Sequence, residues 1–349
     1  MNLFSSKWRQ ATVVCAAALG AQAAAAAGLD VRVSLAKPVL IGDVDVVVNV
    51  TVTNTSRAVQ QVAKSQLPGQ VQEGALFRIS RDGLPVDYTG PLVKRGPRTA
   101  ADFLSLAPGV SLSYEVELTA YYDLSQNGRY ALEYVGLNKH DGAEGLVAAT
   151  APTYFWLEGR TAKFTPDLQA SQGLNALAGS ISYTGNCSSS QKTALQNAVT
   201  AATNYSQGAT SYLSGAGSGT QRYKTWFGTY SASGWNTAKS HYTSTLDAFK
   251  NKPLTLDCSC KQSYYAYVYP TQPYKIYVCN AFWSAPATGT DSKAGTLVHE
   301  MTHFNVVAST DDWAYGQSAA KSLAISNPAK ALDNADSHEY FAENSPPLP

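Results

Sequence analysis

Between Leu29 and Trp156 apolar and polar residues alternate. Val46, Val48, Val50 and Val52 interleave with Val47, Asn49, Thr51 and Thr53, and Leu112, Tyr114, Val116 and Leu118 follow the same rhythm, as do Tyr130, Leu132 and Tyr134. A period of two sends successive side chains to opposite faces of a strand. The turn pairs Asp82-Gly83, Pro108-Gly109 and Asn127-Gly128 separate the runs, so the pattern predicts a small antiparallel β-sandwich over residues 28–157. This stretch holds no cysteine and one histidine, His140, and shows no catalytic cluster. Residues 158–182 lack periodicity, contain Gly, Pro, Ser and Gln, and read as a linker. From residue 183 the period changes. Leu195, Ala198, Val199 and Ala202 follow i, i+3, i+4, i+7 behind possible caps at Ser188 to Ser190, which predicts a helix. Tyr264–Tyr269 and Tyr274–Val278 read as two strands around a turn at Gln272-Pro273. Further helices are expected from Asp291 or Ser292 through Phe304, over Trp313–Ile325, and from Asp333 or Asn334. The fold class is therefore α+β, with an all-β sandwich-like region preceding a mainly helical one at 183–349.

The first 27 residues stand apart from this pattern. Lys7 and Arg9 precede an apolar run, Ala11 to Leu19, and small residues continue through Ala27 with several Ala-x-Ala cleavage points. This has the form of a secretory signal peptide, too short and too rich in alanine for a membrane span. Export and an extracellular location are expected, with no membrane association. A net charge of +1 gives no reason to expect nucleic acid as a partner; a monomer is the simplest expectation. Export also makes disulfides the natural state of Cys187, Cys258, Cys260 and Cys279, for which three pairings exist. Cys258 and Cys260 are too close to bond each other comfortably. A Cys260–Cys279 bond would close the predicted hairpin, leaving Cys187 for Cys258. A zinc site made of these cysteines is the rival, but their spacing matches no Cys-x2-Cys pair.

The segment with the clearest chemistry is Leu297-Val298-His299-Glu300-Met301-Thr302-His303-Phe304. Residues four apart share one helical face, so His299 and His303 can offer two imidazole nitrogens to one zinc ion, with Glu300 beside it as general base. A catalytic zinc needs a third protein ligand. No further histidine follows at a suitable spacing, which leaves Asp311, Asp312, Asp333, Asp336, Glu339 and Glu343. Asp312 could swing back after a turn; Glu339 is its rival, on a later helix. For Asp311 helix capping is the expected role.

The stretches Asn186-Cys187-Ser188, Tyr223-Lys224-Thr225-Trp226-Phe227-Gly228, Ala266-Tyr267-Val268-Tyr269-Pro270 and Thr288-Gly289-Thr290-Asp291 surround this motif. Downstream come Tyr315-Gly316-Gln317 and Asn334-Ala335-Asp336-Ser337-His338-Glu339-Tyr340-Phe341. In these the region from Thr184 onward resembles the deuterolysin family, the aspzincins, and especially its peptidyl-Lys metalloendopeptidase branch. The resemblance implies a zincin-type catalytic region with one Zn2+ per chain, Asp312 as third ligand, and Tyr315 as hydrogen-bond donor to the oxyanion. The family pattern Gly-Thr-x-Asp-x-x-Tyr-Gly reads here Ser309-Thr310-Asp311-Asp312-Trp313-Ala314-Tyr315-Gly316. If that turn needs a positive φ, Ser309 in place of glycine costs about 1 kcal/mol.

Asp336 and Glu339 are three apart on a predicted helix, so both carboxylates can face one pocket. The resemblance implies that they bind lysine on the primed side of the scissile bond, giving cleavage of Xaa-Lys bonds in protein or peptide substrates. His338 between them is expected at the surface. The β-rich region then reads as a propeptide, an inhibitor or folding aid removed by a cut in the linker, with Lys163 the candidate position. Two other readings stay open: a broad-specificity zinc protease in which Asp336 and Glu339 form no pocket, and a secreted non-catalytic binding protein.

Overall fold

The computed structural model describes residues 28–69, 72–136, 151–161, 179–215 and 219–349. Its N-terminal region contains β1 (Leu29–Leu35), β2 (Val39–Ile41), β3 (Val47–Asn54), β4 (Gln60–Ala63), β5 (Phe77–Arg81), β6 (Leu84–Pro85) and β7 (Leu92–Lys94). It continues with β8 (Phe103–Leu106), β9 (Ser111–Glu117), β10 (Gly128–Tyr134) and β11 (Thr153–Glu158). One sheet has the order β1-β3-β9, a second β2-β11-β10-β5-β6, and β4 pairs with β8 in a separate ribbon. The alternation along β3 does what its period demands, since Val48, Val50 and Val52 are wholly buried in a core shared with Val116, Tyr130, Leu132 and Phe155.

The C-terminal region contains β12 (Ile181–Thr184), α1 (Ser189–Gly215), α2 (Gln221–Phe227), α3 (Ala232–Asn251), β13 (Leu254–Asp257), β14 (Ala266–Val268) and β15 (Lys275–Val278). Then follow α4 (Asn280–Ser284), α5 (Lys293–His303), α6 (Gln317–Ser326), α7 (Pro328–Leu332) and α8 (Ala335–Glu343). A second core of Leu195, Trp226, Tyr242, Leu297, Met301 and Phe341 lies among the helices, with α5 packed against α1 and α8. Cys187–Cys258 and Cys260–Cys279 are bonded, with S–S distances of 2.00 and 1.97 Å; the second closes the β14–β15 hairpin. Among the described residues no helix is long and apolar enough to cross a membrane.

The strand order of the C-terminal sheet is β12-β13-β15-β14-β7. Its edge strand comes from the N-terminal region: β7 runs antiparallel to β14, with Lys94 opposite Ala266 and Leu92 opposite Val268. A three-residue strand between Pro91 and Pro97 carries no alternation to read; only the neighbouring edge makes it a strand. Three further differences have local causes. β12 begins inside the expected linker because Ile181 pairs in parallel with Leu254. The helix expected over Trp313–Ile325 starts only at Gln317. Asn334 Oδ1 accepts the amides of Trp313 and Ala314 at 2.9 and 3.0 Å, and Gly316 sits at φ 84°, so the backbone there is extended. α3 is not among the helices expected from the sequence, although Trp235, Ala238, Tyr242 and Phe249, all buried on it, carry the helical spacing.

Gly228 ends α2 at φ 81°, ψ −153°, and a Cβ there would lie 2.0 Å from the Ala324 carbonyl oxygen. That backbone region is essentially glycine-only. Gly228→Ala is expected to destabilise by about 2 kcal/mol or more and to lower the melting temperature by roughly 4–8 °C. A calorimetric scan in a Glu300→Gln background, where self-digestion is absent, checks it; an unchanged melting temperature would refute the close approach.

Candidate active site

Ser292 caps α5, its hydroxyl accepting the Gly295 amide at 2.9 Å. His299 and His303 then fall one turn apart, both fully buried, with their Nε2 atoms 3.1 Å from each other. The helix stops at His303, and Ser309 turns the chain in a left-handed conformation, φ 54°. The Thr310 amide donates to Thr302 O at 3.1 Å, and Asp312 returns to the histidines. Its Oδ1 lies 3.2 Å from His299 Nε2 and 3.4 Å from His303 Nε2. Neither Asp312 oxygen takes a hydrogen bond. Three buried electron-pair donors thus converge on one point, an arrangement that costs free energy unless a cation lies between them. Two imidazoles and a carboxylate suit zinc and leave room for a fourth ligand. His303 Nδ1 donates to Thr310 O at 2.8 Å, a contact of the kind that fixes ring tautomer and orientation. His299 Nδ1 lies 2.8 Å from Asp336 Oδ1 as a charge contact without hydrogen-bond alignment. Glu300, next to the cluster, is buried with both oxygens unpartnered. Burial pushes its carboxyl up to about 7, suited to taking and returning a proton near neutrality.

A second anionic cluster adjoins the first. Asp336 and Glu339 point from α8 toward α5, both wholly buried. Between them lies the amine of Lys94 from β7, 2.5 Å from Glu339 Oε2, 3.2 Å from Asp336 Oδ1 and 3.8 Å from Asp291 Oδ1. Its walls are the Tyr265 and Tyr340 rings, with centroids 5.4 and 5.8 Å from Nζ. Burial alone would depress this amine, but the carboxylates around it raise it well above the ordinary lysine value. It is therefore an ammonium, whose three N–H donors face three carboxylates. Gly295 lets α8 come this close, since a Cβ there would meet Glu343 Oε1 at 2.0 Å and Glu339 Oε1 at 2.9 Å. Glu343 in turn accepts the Ser292 hydroxyl at 2.7 Å and the Asp291 amide at 3.2 Å, and Tyr340 donates to Asp291 Oδ1 at 2.6 Å.

Tyr315 completes the arrangement. Its hydroxyl, held protonated because burial raises it well above the ordinary value, donates to the Val93 carbonyl at 2.9 Å. The Tyr265 amide donates to the Lys94 carbonyl at 3.0 Å. The peptide bond between Val93 and Lys94 is thus gripped on both sides.

Of the carboxylates open as third ligand, only Asp312 reaches both histidines. Asp311 pairs with Asn334 in a parallel bridge, its carboxylate accepts the Asp312 amide at 2.7 Å, and its carbonyl accepts the Ala335 amide at the start of α8 at 3.1 Å. Asp333 accepts the Trp313 indole N–H at 2.8 Å. His338, expected at the surface, is completely buried. Its Nδ1 donates to Asn334 O at 3.0 Å and its Nε2 faces His241 Nδ1 at 2.9 Å, because α8 is hemmed in by α3 and Phe227. The β-rich region does bring residues to the site, Val93 and Lys94, where its sequence suggested none. Asp291 was legible as a possible cap and as the end of the stretch Thr288-Gly289-Thr290-Asp291, without a role in the site. No motif marked Val93 or Lys94, because pairing across the sheet edge places them. Lys163, His140 and the leader at 1–27 lie outside the described residues.

A family profile described as "Lysine-specific metallo-endopeptidase", the aspzincins, matches residues 212–343. The chain is 44% identical over 327 residues to an "Extracellular protease" of Aeromonas hydrophila, covering 92% of this chain and 93% of that protein. It is 41% identical over 281 residues to a "Peptidyl-Lys metalloendopeptidase" of Armillaria mellea, covering 77% and 78%. Among solved structures it is similar to a zinc peptidase from Grifola frondosa, with 49% identity, 47% of this chain and all of that chain covered, and a TM-score of 0.45.

Two outcomes follow from the geometry. Asp312→Asn should weaken zinc binding by more than about 100-fold, the upper end of what losing an outer partner of a ligand costs. Equilibrium dialysis with metal analysis measures it, and unaltered affinity would remove Asp312 from the ligand set. The buried histidine pair should make stability pH-dependent. Burial lowers His241 to about 4 and His338 to about 3, from an ordinary 6.5. The unfolded chain therefore binds more protons across this window, and stability is lost as pH falls from about 6.5 toward 4. In the Glu300→Gln background, His338→Gln should flatten the melting temperature's dependence on pH over that range. An unaltered slope would show that the pair does not titrate on unfolding.

Proposed function

This chain belongs to the aspzincin family of metalloendopeptidases, and we propose that it is a secreted enzyme that hydrolyses Xaa-Lys bonds and is made as a latent precursor. The observation that carries the lysine preference is the Lys94 ammonium among Asp336, Glu339 and Asp291. A cavity that buries Asp336 and Glu339 beside the partly exposed Asp291 favours a ligand that returns hydrogen bonds and a positive charge. A neutral side chain entering it would leave buried anions unpaired, which costs roughly 3–5 kcal/mol per broken pair. The disulfides and the extracellular relative support export.

His299, His303 and Asp312 would hold zinc, which supplies Lewis-acid polarisation of the scissile carbonyl and activation of water. The chain's own residues do the rest. A substrate strand lies antiparallel on β14, as β7 does, with its lysine in the anionic cavity. Tyr315 donates to the carbonyl oxygen before that lysine and stabilises the charge it gains in the tetrahedral transition state. Glu300 takes a proton from the attacking water and returns it to the departing amine, for which its raised pKa suits it. Asp336 contacts both the substrate ammonium and His299, so substrate binding and ring orientation share one carboxylate.

In the precursor the N-terminal region acts as an intramolecular inhibitor, because β7 fills the strand site and the lysine cavity together. Processing in the linker, with Lys163 the candidate position, would free the cleft.

Digestion of one denatured protein by the processed enzyme, with sequencing of the new N-termini, tests the specificity. Nearly all should begin with lysine, and chelation should abolish cutting. Glu339→Gln should lower kcat/KM for lysine substrates by about 100-fold, equivalent to ~2.7 kcal/mol of transition-state stabilisation, with smaller losses for neutral residues at that position. A mixed set of N-termini from the unaltered enzyme would overturn the lysine reading in favour of broad specificity.

A further inference from the structure

We propose that the Val93–Lys94 peptide bond is itself a processing site, cut by the active site of the same chain. The proposal rests on the lysine preference above and adds a bond that the linker does not contain. A strand that merely blocks a cleft needs only to fill it. β7 instead meets several conditions of a substrate at one bond. Its lysine ammonium sits in the anionic cavity, 2.5 Å from Glu339 Oε2. The carbonyl before that lysine accepts the Tyr315 hydroxyl at 2.9 Å, and the carbonyl after it accepts the Tyr265 amide at 3.0 Å. The antiparallel register, Val93 opposite Tyr267, sets this direction; a reversed strand would carry the Val93 carbonyl to the other side of the lysine. Glu300 stands nearby with both oxygens unpartnered, available to an attacking water.

The reaction is a hydrolysis that needs no other co-reactant. The water oxygen bonds to the Val93 carbonyl carbon, the bond to the Lys94 nitrogen breaks, and the water's protons end on that nitrogen. Val93 is left a carboxylate and Lys94 an amino terminus. Because β7 is tethered on both sides, the site meets this bond at an effective concentration of about millimolar or more. The cut separates strands that share one core, Val48 and Ile79 on one piece, Val116, Tyr130 and Phe155 on the other. The nicked chain therefore stays together until denatured, and its new ends remain in the cleft, so latency outlasts the cut.

The test uses the full precursor with zinc, unaltered and as Glu300→Gln, followed over time by intact mass and N-terminal sequencing after denaturation. The unaltered chain should give a fragment beginning at Lys94, at a rate unchanged across about 100-fold dilution, as an intramolecular event requires. Glu300→Gln should keep this bond whole even when mixed with equal unaltered chain, since its own cleft shields it. A rate that rises with concentration, or cutting of the Glu300→Gln chain in the mixture, would overturn cleavage in cis. An intact Val93–Lys94 bond in chains whose processed form cuts a denatured protein before lysine would overturn this inference alone. Failure of that digest to show lysine would instead sink the specificity reading.

Discussion

The imidazole of His299 stands between two buried anionic sites, and the architecture of the active centre depends on it. Its Nε2 faces Asp312 and its Nδ1 faces Asp336, at 3.2 and 2.8 Å. One ring, wholly withdrawn from water, thereby joins the metal centre to the lysine cavity. Buried carboxylates on both sides would be untenable without positive charge. His299, His303 and Asp312 would accommodate a metal cation on one side, the Lys94 ammonium lies among the carboxylates on the other, and the ring stands between the two.

Such a concentration of charge needs rigid walls. α5 and α8 supply them by packing closely, which Gly295 alone on that face of α5 allows, because a side chain would strike Glu343 and Glu339. Glu343 then binds the start of α5 through Ser292, so the helix that carries the histidines and the helix that carries the cavity are tied at one end. On its other side α8 meets α3 through His338, whose Nδ1 donates to Asn334 O and whose Nε2 faces His241 Nδ1. That buried ring therefore has a partner at each nitrogen, which is what buried polar groups require.

The N-terminal region meets this centre through three residues of backbone. An exposed sheet edge invites another strand, and β14 receives β7. The main chain supplies direction and register, while Lys94 supplies the charge that the cavity lacks. The rest of the β-rich region is built on its own core of valines, leucines and aromatic rings.

How much of this was legible before folding depends on the range of the interaction concerned. The alternation of Val48, Val50 and Val52, the helical repeat of Leu195 to Ala202, and the pairing of His299 with His303 arise from spacings of two to seven residues, which local backbone geometry converts directly into faces. The helix expected over Trp313–Ile325 begins only at Gln317, because Asn334, some twenty residues on, takes the Trp313 and Ala314 amides and holds that stretch extended. By itself the sequence determined many of the elements, though not β7, β12 or α3, together with the two histidines, the adjacent glutamate, and a short set of carboxylates. Tertiary structure decided which carboxylate meets the histidines, that Asp291 joins Asp336 and Glu339, that His338 is buried, and that Lys94 lies among them. The reason is physical: each of those outcomes is a contact between residues well apart in the chain, from Asp312 on His303 to Lys94 on Glu339, set by the turn after α5, the packing of α5 on α8 and the pairing of β7 with β14, and no local period encodes it.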